Sequence, residues 1–194
     1  IPDINMDIGY RYRLIGDSDM MGRVFREIAK AVVLAVVLIY MVLAAEFESF
    51  SQPFVIMMSL PFAVIGAVLG LLVANQTANM MALIGFTMLL GLVTKNAILL
   101  IDYANQARAR GMAIREAVME ACSLRLRPIL MTTLSTLLGM LPVALGLGAG
   151  AELRQSMGVV LIGGLTTSTI LTLVVVPLIY ILTEEWKISR TDKF

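Results

Sequence analysis

The stretch Gly91–Gln106, GLVTKNAILLIDYANQ, decides how this chain is read. From Met80 to Ile101 the residues are almost all apolar. At about 1.5 Å per residue the run is long enough to cross a hydrocarbon core of about 30 Å. Lys95 interrupts it, with Thr94 and Asn96 beside it and Asp102 two helical turns further on. A lysine at mid-bilayer costs roughly 2.5–3.5 kcal/mol on insertion scales, so it requires a partner or a wet cavity. The segment predicts a membrane-spanning helix with an ion-handling residue inside it.

The rest of the chain agrees with a membrane setting. Of 194 residues, 59% are hydrophobic and 15% charged, against about 45–50% and about 25% in soluble domains. Four further apolar runs flank the first. The expected fold class is therefore an all-α membrane protein, a bundle of five transmembrane helices at about 28–45, 53–74, 80–101, 128–147 and 157–182. Pro53 and Pro128 suit first helical positions and Pro61 is placed to kink the second span. Residues 1–27 read as the end of an extramembrane domain and a lead-in, with a helix start at GDSDM, and residues 183–194 read as a tail. The chain opens on IPDINMDIGYRYR, with no initiating Met and no basic n-region before an apolar core. That pattern is not a signal peptide, and the expectation is a piece of a longer protein.

Five spans place the two ends of the chain on opposite sides. The loop between spans three and four carries Arg108, Arg110, Arg115, Arg125 and Arg127, and the tail carries Lys187, Arg190 and Lys193. Lys and Arg concentrate on the cytoplasmic side, so this loop and the tail are expected there and the amino terminus opposite. Arg11, Arg13, Arg23, Arg26 and Lys30 weigh the other way. Within the loop, Ile114, Ala117, Val118, Ala121 and Leu124 repeat at three- and four-residue spacing. This predicts an amphipathic interfacial helix over 112–124, or a solvated connector helix, broken from span three at Gly111.

Function classes narrow by what is missing. There is no histidine and a single cysteine, Cys122. A Cys/His zinc site, a His-based triad and an intramolecular disulfide are excluded, and no nucleophile–base pair or phosphate loop points to an enzyme. A net charge of +1 gives no reason to expect a nucleic-acid partner. No cofactor and no metal site are expected. The 14 methionines suggest soft-metal ligands, but Met57, Met58, Met80, Met81 and Met88 sit in apolar spans where they read as packing.

Lys95 is the leading candidate, either as a cation whose carboxylate partner switches between charged and neutral, or as half of a static interhelical salt bridge. Asp102 lies about 10 Å along the axis from it, too far for a direct pair, and reads as an interfacial acid. The spans offer no other carboxylate, so the partner of Lys95 is expected outside this chain. Thr132, Thr133, Ser135 and Thr136 bring hydroxyls into span four, as interhelical glue or as proton carriers. Gly66 and Gly70 form a GxxxG pair in span two, and Gly158, Gly163 and Gly164 line span five, a pattern for close helix packing.

Taken together, FESFSQPF, GLVTKNAILLIDYANQAR, LRLRPILMTTLSTLLGMLP, GAGAELRQSMGVVLIGGL and VVVPLIY resemble the resistance-nodulation-division (RND) transporters, specifically the branch exporting hydrophobic and amphiphilic compounds. The resemblance implies the last five of twelve helices, preceded by the end of a periplasmic porter domain. It implies a proton antiporter of the bacterial inner membrane conferring multidrug resistance, amino terminus periplasmic and carboxyl terminus cytoplasmic. It places Lys95 and Thr132, with Asn96 and Arg125 beside them, in a proton relay whose two aspartates belong to the missing amino-terminal half. It further implies a homotrimer in the lipid bilayer, docked to a periplasmic adaptor and an outer-membrane channel. Two rivals remain: a heavy-metal exporter of the same fold, and a non-transporting anchor or assembly module.

Overall fold

A computed structural model describes residues 17–148 and 150–191. The expectations for residues 1–16 and for the last three residues fall outside that range. Among the described residues every regular element is an α-helix: α1 Asp17–Glu46, α2 Ser51–Met57, α3 Ser59–Val73, α4 Met80–Ala109, α5 Ile114–Ala144 and α6 Ala151–Thr191. Among the described residues five stretches are long and apolar enough to cross a membrane, with α2 and α3 together forming one of them. Hydrocarbon offers no water to unpaired N–H and C=O groups, so such a chain must satisfy its backbone within each helix.

Several boundaries differ from the periodicity reading. The polar residues before Ile28 are the first turns of α1, which begins at Asp17. The second span breaks at Met58. Pro61 lacks an N–H, so the Met57 carbonyl loses its helical bond and the ladder parts there. The expected separation between a loop helix over 112–124 and a span opening at Pro128 is absent. One helix runs from Ile114 through Pro128 to Ala144. Likewise the expected tail from residue 183 continues α6 as far as Thr191. An internal proline is tolerated in membrane helices because neighbouring groups and local adjustment satisfy the freed carbonyl. Between α4 and α5 the chain turns at Gly111, whose φ of +92° is a conformation glycine adopts without steric cost.

Helix α6 is the hub, packing against α2, α3, α4 and α5. Its contact with α3 is a seam of small residues. A Cβ added at Gly163 would meet the Gly66 carbonyl oxygen at 2.6 Å and the Gly70 Cα at 2.9 Å. At Gly164 it would meet the Ala63 carbonyl oxygen at 3.0 Å and press on Leu89, and at Gly66 it would collide with Thr167. With so little apolar driving force between helices in lipid, this backbone-on-backbone approach is what dispersion requires.

The core divides in two along the helix axes. One cluster holds Leu60, Ala63, Ala67, Leu71, Leu89, Leu90, Val93, Val160 and Leu165, around the seam. The other holds Leu43, Val55, Ile56, Ala97, Leu100, Ile101, Val118, Val176 and Tyr180. On α4 the boundary falls between Val93 and Ala97, where Thr94, Lys95 and Asn96 stand. By contrast, α1 and α5 turn most of their apolar surface outward, including Val33, Leu34, Val37, Met131, Leu134 and Leu138.

Gly163→Ala tests the seam. It should lower the stability of the membrane domain by about 1–3 kcal/mol, the usual cost of overpacking, because both obstructing groups are backbone. Gly22→Ala, with nothing within 4 Å of the new methyl, should not. Thermal unfolding of the detergent-solubilised protein reads the difference.

Candidate functional site

Lys95 opens on a small cavity of about 50 Å³. Its lining is Leu92, Lys95 and Asn96 from α4, Thr132, Thr133 and Thr136 from α5, and Leu165 from α6. The structure thus brings together Lys95, Asn96 and Thr132, which lie on helices joined only by the distant turn at Gly111. The site exists because α4 and α5 lean on α6 at the level where the two apolar clusters separate.

The individual groups differ in how they are satisfied. Thr132 Oγ1 donates back along α5 to the Pro128 and Ile129 carbonyls at 3.1 and 3.0 Å. Thr136 donates to the Thr132 carbonyl at 2.8 Å, and Thr94 to the Leu90 and Gly91 carbonyls. Such back-bonding removes the hydroxyl proton from the cavity and tends to bend the helix. Asn96 is buried, with 8% of its surface exposed, yet its carboxamide makes no hydrogen bond among the described residues. Lys95 is exposed and has no ion pair among them. Its ammonium therefore faces the open side of the bundle, and its counter-charge is not supplied by the described residues.

Two expected residues stand apart. Asp102 accepts a hydrogen bond from Gln106 Nε2 at 2.9 Å, one turn further along α4, and does not reach the cavity. Arg125 lies two turns before Thr132 on α5. Its guanidinium carbon is 5.3 Å from the centroid of the Tyr103 ring, a cation–π contact, and its buried Nε has no hydrogen-bond partner among the described residues. Tyr103 in turn donates to Glu120 Oε1 at 2.9 Å, tying α4 to the start of α5.

The sequence reading missed a polar network at the Arg108 end of the bundle. Gln52 and Asn105 exchange reciprocal amide hydrogen bonds at 3.2 and 2.8 Å. The Tyr180 hydroxyl donates to Asn105 Oδ1 at 2.6 Å, and Arg108 reaches both Tyr180 and Glu184, the latter at 2.5 Å. Glu184 is buried. The signal was present as Asn105 and Arg108 one turn apart on α4, and Tyr180 and Glu184 one turn apart on α6. Reading residue 183 as the start of a tail hid it. At the opposite end Asn79 caps α4 by accepting from the Ala82 N–H at 2.9 Å, and its amide donates to Ser156 of α6 at 3.0 Å.

A family profile described as the AcrB/AcrD/AcrF family matches residues 2–184. Among solved structures, the chain is similar to one described as a heavy metal efflux pump, with a TM-score of 0.79 and 31% identity. The match covers 90% of this chain and 18% of that one, so this chain spans less than a fifth of the pump it resembles.

The network predicts a graded response. Glu184→Ala leaves Arg108 without its buried carboxylate and should cost about 1.5–3 kcal/mol, the range for hydrogen bonds to charged groups. The exposed pair Arg115–Glu185, at 2.9 Å, should contribute far less when Arg115→Ala removes it, because solvent screens it. Denaturation midpoints of the two variants give the comparison.

Proposed function

Because the chain belongs to the AcrB/AcrD/AcrF family of resistance-nodulation-division transporters, we propose that it forms the carboxyl-terminal membrane part of a proton-driven efflux pump. The observation that carries this reading is Lys95. It is a cation midway along a membrane-length helix, beside a small polar cavity and without a carboxylate among the described residues. An unpaired ammonium at that depth is costly, so the face it opens on must receive an acid from another part of the protein.

The chemistry follows from that pairing. A deprotonated carboxylate holds the Lys95 ammonium by charge. Protonation from the outer side neutralises the acid and removes the attraction, so Lys95 and the helix carrying it find a new balance of contacts. Deprotonation toward the inner side restores the pair. Asn96 and Thr132 supply polar atoms beside the lysine while it is unpaired, and Arg125 stands on α5 in the direction of proton release. Moving one charge through 100 mV is worth roughly 2.3 kcal/mol, so one or two protons per cycle suffice to bias such a switch.

In this reading the acids are the aspartate pair of the amino-terminal half, Asp102 stays an interfacial acid, and the glycine seam gives α3 and α6 a close sliding contact. The protein sits in the bacterial inner membrane, amino terminus periplasmic and carboxyl terminus cytoplasmic. It works as a trimer with a periplasmic adaptor and an outer-membrane channel. For cargo we favour hydrophobic and amphiphilic compounds, the branch whose motifs the chain resembles. The heavy-metal reading has its own support in the match to a heavy metal efflux pump. Uptake of dyes and of copper, silver or zinc ions into inverted vesicles separates the two.

In the full-length transporter Lys95→Ala should reduce proton-coupled efflux by at least about 100-fold while expression stays normal, since several kcal/mol of pairing is lost. Normal coupled efflux in that variant refutes the relay and favours a module that only anchors or assembles. Thr132→Ser should retain most activity and Thr132→Ala should not. Equal behaviour of those two variants would reduce Thr132 to packing.

A further inference from the structure

The Lys95 cavity has a third wall, which the relay just described does not use. Thr133 turns away from Thr132 toward α6, where its hydroxyl lies 3.4 Å from that of Thr169. Both are deeply buried, at 6% and 4% exposure. Their neighbours behave differently. Thr94, Thr132, Thr136 and Thr166 each donate to a carbonyl one turn back on their own helix, so those protons are committed. In the Thr133–Thr169 pair either oxygen can be the donor. Whichever accepts keeps its own proton for a third group. At 3.4 Å, well beyond the usual 2.7–2.8 Å for such a bond, the contact is weak and its direction is easily reversed.

The third group has a place. One water needs about 10–15 Å³ of cavity and two to four polar partners, and the cavity offers about 50 Å³. Asn96 is placed to hold such an occupant. The residue lines the cavity, is 8% exposed as a whole, and makes no hydrogen bond among the described residues. It carries two donor hydrogens and an acceptor oxygen, all open to a partner in the cavity. Water between Asn96 and the Thr133 hydroxyl satisfies both.

We propose that Thr133 and Thr169 are positioning residues that, together with Asn96, hold ordered water in the Lys95 cavity, and that their reversible hydroxyl pair lets this water turn when the lysine changes partner. The site thereby extends from α4 and α5 onto α6. The inference rests on the proton-handling reading of Lys95.

The test uses the full-length transporter in proteoliposomes, following efflux driven by a pH gradient as external pH is varied. Thr133→Val and Thr169→Val keep the shape and remove one hydroxyl. Each should slow efflux about three- to tenfold, the scale of one lost hydrogen bond, and displace its pH profile. Thr133→Ser and Thr169→Ser should restore both rate and profile. The double Val variant should be no slower than the slower single variant, because either change already abolishes the pair. Thr166→Val, away from the cavity, should match the unmodified protein. If a Val variant does not accumulate, Ala against Ser at the same position isolates the hydroxyl. Ser variants as slow as Val, or Val variants with unchanged rate and profile while Lys95→Ala abolishes efflux, overturn this inference and leave the relay standing. Full efflux in Lys95→Ala overturns both.

Discussion

A charge or an unmet amide in hydrocarbon costs several kcal/mol, and this constraint shapes nearly every feature of the bundle. It demands helices, and among the described residues only helices occur. It sends the hydroxyls of Thr94, Thr132, Thr136 and Thr166 back to carbonyls of their own turns. It gathers Gln52, Asn105, Arg108, Tyr180 and Glu184 into one network, since none could be buried alone. Against that background Lys95 and Asn96 are conspicuous, because the described residues do not satisfy them. Local rules tend to be broken where a protein does its work, and here the break coincides with a polar cavity.

The position of that cavity depends on α6. Gly66, Gly70, Gly163 and Gly164 bring α3 close against α6, and α4 and α5 pack against the same helix. The two apolar clusters part on either side of Lys95. Bulkier residues in the seam would push α3 outward and change how α4 rests on α6. The glycines therefore act on the site without touching it.

The sequence made legible what carries a large energetic signature. A lysine among apolar residues, a membrane-length run and a GxxxG spacing each survive without knowledge of tertiary contacts. Helix ends did not survive as well, because rules learned from water were applied to lipid. Pro128 looked like a helix start, yet α5 passes through it. Residues 183–194 read as a tail, yet Glu184 is buried against Arg108. Thr133 stood out only as one of several hydroxyls, and Thr169 had no signal. LMTTLSTLL shows several hydroxyls but not which of them faces α6, and their partners lie 36 positions away.

The two helices that carry the candidate relay are held differently, and this bears on how a proton could move them. Near its Arg108 end α4 is fastened to α2 and α6 by the buried network, and at its other end Asn79 fastens it to Ser156. Between these points α4 packs along α6. Helix α5 is looser. Its membrane part is largely exposed, Pro128 removes one backbone bond, and Thr132 shares its hydroxyl between two carbonyls in the following turn. Proline and back-bonding threonine both bend helices, so compliance concentrates in the turn that joins Arg125 to the cavity. A change of partner at Lys95 thus meets a stiff support on the α4–α6 side and a soft one on the α5 side. The Thr133–Thr169 contact, the weak hydroxyl bridge between them, lies where that difference is felt.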